Sequence, residues 1–180
     1  MGRRPVTLPV GLALAAVIAL GLSACGSGDI QTVTDQRIPF SFQVPKDFKK
    51  GPLRSGSFQG PPPILAYGVD RLNLIDVRRS AARELPLDTV DMEVKRILSR
   101  RGSAGLKSKR EKHGDVDMVV FDDVENTVGG PPPAGHRTRS RLYFFKGAGG
   151  TWELECQSTE DKADVIAKGC MKAVDSVKFN

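Results

Sequence analysis

Ser108-Lys109-Arg110-Glu111-Lys112-His113, then Gly114-Asp115, then Val116-Asp117-Met118-Val119-Val120-Phe121, is the stretch on which the fold class turns. Two extended runs separated by a glycine-aspartate pair read as a β-hairpin. The second run continues to Val128, and a loop at 129–135 with three consecutive prolines follows it. Residues 136–146 and 151–157 then flank Gly147-Ala148-Gly149-Gly150 as a second hairpin. Working outward, residues 38–44 place Ile38, Phe40, Phe42 and Val44 at period two, and Pro45 ends that strand. Residues 64–69 and 73–80 are two further strands. Between them and the hairpins lies a helical pattern, with Val90, Val94, Ile97 and Leu98 on one side and Asp91, Glu93, Lys95 and Arg96 on the other. Asp88 is its expected N-cap, Leu87 and Met92 its expected staple, and Gly102 its stop. Residues 161–174 form the last helix, followed by a short tail at 177–179. The order β-β-β-α-β-β-β-β-α is satisfied best by an α+β fold, an antiparallel sheet packed by helices.

The N-terminus carries a different kind of information. Arg3 and Arg4 precede an apolar run at 10–22, and Leu22-Ser23-Ala24-Cys25 closes it. A basic region, a short apolar region and a small-residue processing site are the layout of a secretory signal. The run falls short of the ~20 apolar residues of a membrane span. The final four residues match the bacterial lipobox, which implies that the Cys25 thiol is acylated and becomes the first mature residue. Residues 1–24 are therefore expected to be a signal peptide, 25–36 a lipidated cysteine with a short tether, and 37–180 one globular domain. The expected location is the extracytoplasmic face of the cell membrane, held there by lipid.

Losing Arg3 and Arg4 lowers the formal charge of +6 by two, since no acid leaves with them. A small positive excess suits an anionic envelope surface and is far from a nucleic-acid signature, so no nucleic-acid partner is expected. With Cys25 assigned to lipid, Cys156 and Cys170 remain, and an even remainder in an exported chain reads as a disulfide. Cys156 shares a strand face with Trp152 and Leu154, and Cys170 shares a helix face with Ile166 and Val174. A bridge closing about fifteen residues contributes roughly 3 kcal/mol in the chain-entropy model. Two buried free thiols are the alternative.

Phe40-Ser41-Phe42-Gln43-Val44-Pro45-Lys46-Asp47-Phe48 resembles the opening of PsbP-like domains: an aromatic strand, a proline, a short turn and another aromatic. The last helix, running into Val174-Asp175-Ser176-Val177-Lys178-Phe179, is similar to the way those domains close. Together with the lipobox, the chain resembles the LpqN/LpqT-like lipoproteins of actinobacteria. The resemblance implies an α/β/α sandwich, an envelope location and a binding or accessory role. It carries no catalytic residues over to this chain.

Residue chemistry points the same way. His113 and His136 are the only histidines and are expected to be exposed polar residues. Neither they nor the cysteines have zinc-site spacing, and Gly-x-Ser-x-Gly is absent, so no enzyme activity, cofactor or metal is expected. Asp115, Asp117, Asp122 and Asp123 form an acidic cluster. Unbroken alternation places Asp115, Asp117 and Asp123 on one face and Asp122 on the other, a pattern of cross-strand pairing more than of calcium ligation. Arg137, Arg139 and Arg141 alternate along one strand, and Lys109 and Lys112 lie on its neighbour's approach. These five residues are a candidate anion-binding surface, with cross-strand pairing as the plainer alternative. Tyr143 and Phe145 either extend that surface or mark where it turns into the core. The expected partners are the membrane, through the anchor, and an envelope glycolipid, an anionic polymer or a membrane protein. The sheet face or the proline-rich loops at 60–63 and 129–135 would engage them. An envelope hydrolase and a scaffold acting through a sheet edge are the competing readings.

Overall fold

Alternation and helical periodicity build two layers of strand with a helix on each side. The computed structural model describes residues 29–51, 62–82, 85–99, 106–128 and 135–180. The signal segment, Cys25, most of the proline-rich loops at 60–63 and 129–135, and Gly102 lie outside the described residues. In chain order the elements are β1 (Ile30–Val33), β2 (Phe40–Pro45), β3 (Lys49–Lys50), β4 (Leu65–Gly68), β5 (Leu74–Arg79) and α1 (Leu87–Ser99). They continue with β6 (Ser108–His113), β7 (Val116–Val128), β8 (His136–Gly147), β9 (Gly150–Ser158), a 3-10 turn (Glu160–Lys162), α2 (Ala163–Asp175) and β10 (Lys178–Phe179). The large sheet has the order β3-β4-β5-β9-β8-β7-β6, and every neighbouring pair is antiparallel. A smaller sheet, β1-β2-β10, lies beside α2.

Both hairpins form where the turn residues place them. Gly114 takes φ 57°, a conformation that costs glycine little and other residues more. The second turn narrows to Ala148-Gly149, with Gly147 paired to Gly150. Three short strands depart from the expected order. β1 lies inside the stretch assigned to the tether, so the folded domain begins by Ile30 rather than at residue 37. The Gln31 side-chain amide secures it, donating to the carbonyls of Pro45 and Phe48 at 3.1 and 2.7 Å. β3 and β10 add an edge to the large and the small sheet.

The large sheet is covered on both sides. Val120, Tyr143, Phe145, Trp152 and Leu154 face the small sheet and α2, together with Phe40, Phe42 and Phe48. Phe40 packs edge-on against Phe145 and Trp152, at centroid distances of 5.1 and 5.4 Å. On the opposite face Val119, Phe121, Leu142 and Phe144 meet Val90, Val94 and Leu98 of α1. Burying a large apolar side chain stabilises by about 1.5–3 kcal/mol, so these two clusters dominate the energetics. Tyr143 and Phe145 therefore mark the turn of the arginine strand into the core.

Local chemistry differs from expectation at α1. Helix begins at Leu87, so Asp88 sits in the first turn instead of capping it, and the Pro86 carbonyl accepts from Thr89 and Val90. The Asp88 carboxylate reaches Arg110 on β6, and Met92 is 66% exposed, so no staple forms. A bulge interrupts β7 between Phe121 and Val124, with Asp123 at φ 54°. One extra residue resets the alternation beyond it, so that Val124 joins the α1 cluster, while Asp122 keeps to the α2 side with Met118 and Val120. Asp122 thus lies on the opposite face from Asp117, where alternation places it. Cys156 on β9 and Cys170 on α2 are joined by a disulfide, with Cα atoms 6.0 Å apart.

Candidate functional site

The last helix presents two faces of different chemistry. Ile166, Cys170, Ala173 and Val174 turn inward. Gly169 lets the helix approach β2 and the turn after it, because a Cβ there would lie 2.6 Å from the Phe48 ring. The outward side, with Gln43 of β2, lines an open groove of about 580 Å³ bounded by Ala167, Lys168, Met171, Lys172, Asp175 and Ser176. Ser176 fixes the end of this groove: its hydroxyl donates to the Lys172 carbonyl at 2.6 Å and accepts from the Gln43 N–H at 2.8 Å. Lys168 and Lys172 are exposed and form no ion pair among the described residues. Four residues apart on a helix, their ammonium groups stand on one side, about one turn from each other.

Beside the groove runs a continuous polar network. The Tyr143 hydroxyl donates to Met171 Sδ at 3.8 Å, and burial pushes its pKa well up, so it stays a donor. Asp175 Oδ1 is 2.7 Å from His113 Nδ1, and His113 Nε2 is 2.9 Å from Glu111 Oε2. His113 also packs edge-on to Tyr143 and is only 7% exposed. It is thus a buried pin between β6 and α2, not the exposed residue expected. His136 is exposed at the start of β8.

Glu111 is the hub. Burial opposes its charge, yet hydrogen bonds from Lys109 and His113 and the nearby Arg141 hold its carboxyl below the usual range. Lys109 reaches Glu111 and Asp122, both at 2.8 Å, and these contacts raise its pKa. Arg141 grips Glu111 at 2.8 and 3.1 Å and Asp122 at 2.6 Å, and lies over the Tyr143 ring at 5.1 Å.

The five residues of the candidate anion surface do not form one surface. Lys109 and Arg141 are committed to internal carboxylates. Arg139 is 67% exposed and is 3.6 and 3.8 Å from Asp123 and Glu125. Arg137 is exposed, with no ion pair among the described residues. Lys112 is one residue out of step with Lys109 and Glu111, so alternation turns it to the other side, as it does Arg110. The pairing alternative holds for three of the five, Lys109, Arg139 and Arg141, whose partners are Glu111, Asp122, Asp123 and Glu125.

Lys168 and Lys172 were not singled out in the sequence, although two lysines at i and i+4 around Met171 were a readable signal. Asp76, Arg78, Glu153 and Glu155 were also missed; their signal was charge at alternate positions of otherwise apolar strands.

No protein-family model matches the chain, and no curated protein sequence matches it. Among solved structures it is similar to cyanobacterial PsbP (CyanoP) from Synechocystis sp. PCC 6803. The TM-score is 0.54 at 12% identity, over 88% of this chain and 99% of that one. It is also similar to LpqN of Mycobacterium tuberculosis, a protein described as involved in cell envelope biogenesis. Here the TM-score is 0.47 at 10% identity, over 84% of this chain and 91% of that one. The fold is α+β and PsbP-like.

Proposed function

We propose that this chain is an envelope lipoprotein, tethered to the extracytoplasmic face of the membrane by an acylated Cys25, whose domain binds an anionic, partly apolar envelope component without catalysing a reaction. The observation that carries the binding role is the groove on α2, where Lys168 and Lys172 stand exposed beside Met171 and Ala167. Two unpaired ammonium groups over an apolar floor are matched to a lipid that carries a phosphate or carboxylate. The location rests on Leu22-Ser23-Ala24-Cys25. It agrees with a folded domain that starts at Ile30: five residues span at most about 18 Å, which keeps the groove close to the headgroups. No described helix is long and apolar enough to cross a membrane.

Two measurements test this reading. Cys25→Ser should abolish fatty-acid labelling of the protein in cells, and unchanged labelling would overturn the anchor. On that full-chain Cys25→Ser background, binding to phosphatidylglycerol vesicles should exceed binding to phosphatidylcholine vesicles. Lys168→Ala with Lys172→Ala should weaken it about fivefold per lysine, as charges near an anionic surface do. Equal binding by both proteins would refute the groove.

A further inference from the structure

The groove on α2 holds one negative group beside its two cations. Asp175, the last residue of the helix, lines it together with Lys168 and Lys172. Its side chain is 56% exposed, and its Oδ1 is engaged by His113 Nδ1 at 2.7 Å. Among the described residues its Oδ2 has no partner, and no ion pair joins Asp175 to either lysine. Lys172 precedes Asp175, the less favourable order for a pair within a helix. Asp164, four residues before Lys168, does not line the groove and forms no ion pair with it among the described residues.

Helix geometry sets the three side chains in a row. Twist and rise place Lys168, Lys172 and Asp175 within about 60° of one another around the axis. Along the axis, Lys172 lies about 6 Å beyond Lys168, and Asp175 about 4.5 Å beyond Lys172. Two cations therefore stand together and a carboxylate follows them. It follows at the end of the helix where the macrodipole is negative and a bound cation is favoured.

The carboxylate is held in place. His113 is fixed from its other nitrogen by Glu111, 2.9 Å away. The β6–β7 turn closes against the helix end, since a Cβ on Gly114 would lie 3.6 Å from the Asp175 carbonyl. Ser176 ties the Lys172 carbonyl to the Gln43 N–H, and the Gln43 side-chain amide, which forms no hydrogen bond among the described residues, lines the same end.

We propose that the lipid received by this groove carries a primary amine beside its phosphate, as a phosphoethanolamine headgroup does. Lys168 and Lys172 take the phosphate, Asp175 Oδ2 accepts from the ammonium, and Ala167 and Met171 meet the apolar part. This rests on the α2 groove as the binding site and adds which headgroup it selects. The two-carbon spacer of ethanolamine sets the ammonium off from the phosphate by about the rise from Lys172 to Asp175, ~4.5 Å. A headgroup with no amine would satisfy the lysines and leave Asp175 facing a like charge. A quaternary amine brings the positive charge but no N–H to donate. Selection therefore lies in a charge-assisted hydrogen bond to a carboxylate that the fold holds ready.

Vesicle binding by the full chain carrying Cys25→Ser tests the headgroup. At a fixed fraction of phosphatidylglycerol, admixed phosphatidylethanolamine should bind about tenfold tighter than admixed phosphatidylcholine, the effect of one hydrogen bond to a charged group. In Asp175→Asn and in Asp175→Ser the two mixtures should bind alike. Equal binding of both mixtures by the parent chain would overturn the proposal, even with its preference for phosphatidylglycerol over phosphatidylcholine intact. So would a preference for ethanolamine that survives both substitutions. A chain that binds none of these vesicles loses the groove and the headgroup together. If both Asp175 variants fail to fold, the comparison of the two mixtures on the parent chain still decides.

Discussion

Replacing Arg78 with methionine removes the guanidinium that buried Asp76 and Glu155 share. The guanidinium side chain is fully buried and donates three hydrogen bonds to Asp76 and Glu155, with Glu153 at 3.8 Å. Methionine fills much of the space and returns none of those bonds. Removing one partner of a buried ion pair costs about 3–5 kcal/mol, because the other is left charged and desolvated. For a domain of this size each kcal/mol moves Tm by ~2–4 °C, so Arg78→Met should melt roughly 6–20 °C below the wild type at slightly alkaline pH. The sign of the pH dependence follows from the carboxylates. Without the guanidinium the Asp76 carboxyl, already raised by burial and by the charge of Glu155, is pushed further up, so the destabilisation grows as pH rises and shrinks on acidification. Thermal unfolding followed by circular dichroism at mildly acidic and mildly alkaline pH reads both effects. A variant that melts within a degree or two of the wild type, or one whose deficit is the same at both pH values, would refute the reasoning.

Two other outcomes follow from packing and cross-linking. Cys156→Ser opens a bridge with a sequence separation of 14 and should cost about 3 kcal/mol under oxidising conditions and little under reducing ones, as read by denaturant unfolding. Equal stability in both would mean that the bridge does not form. Gly169→Ala pushes a methyl group to within 2.6 Å of the buried Phe48 ring and should destabilise by about 1–3 kcal/mol. A neutral result in the same assay would show that α2 and the turn after β2 are free to separate.

Much of this architecture was readable from period and turn chemistry. The two hairpins, the Val90-Val94-Leu98 stripe and the pairing of Cys156 with Cys170 each rest on a local pattern that the tertiary structure reinforces. The short strands were not readable, because β1, β3 and β10 hold two to four residues and exist only through their partners. The β7 bulge was equally hidden: two adjacent aspartates do not announce which of them is the extra residue. Alternation also tells which side of a strand a residue takes, but not whether that side is covered. With both faces of the large sheet packed, Glu153 and Glu155 are core although they alternate with apolar residues. Lys109 and Arg141 could be read as an anion surface or as paired cations, and alternation alone does not say that Glu111 and Asp122 stand within reach of both.

The small sheet has a consequence for the order in which the molecule can assemble. β2 pairs with β1 on one side, a few residues away along the chain, and with β10 on the other, across some of the longest sequence separations in the fold. Residues 178–179 and Ser176, which holds the Gln43 amide, come after everything else the domain contains. Non-local closures are slow because the chain between them must be ordered first. A chain that becomes available from its N-terminus can thus zip β1 to β2 early. It cannot complete the layer that covers Phe40, Phe145 and Trp152 until its last helix has emerged. Folding commitment therefore comes late, with the aromatic core exposed to chaperones or proteases until that final clasp engages.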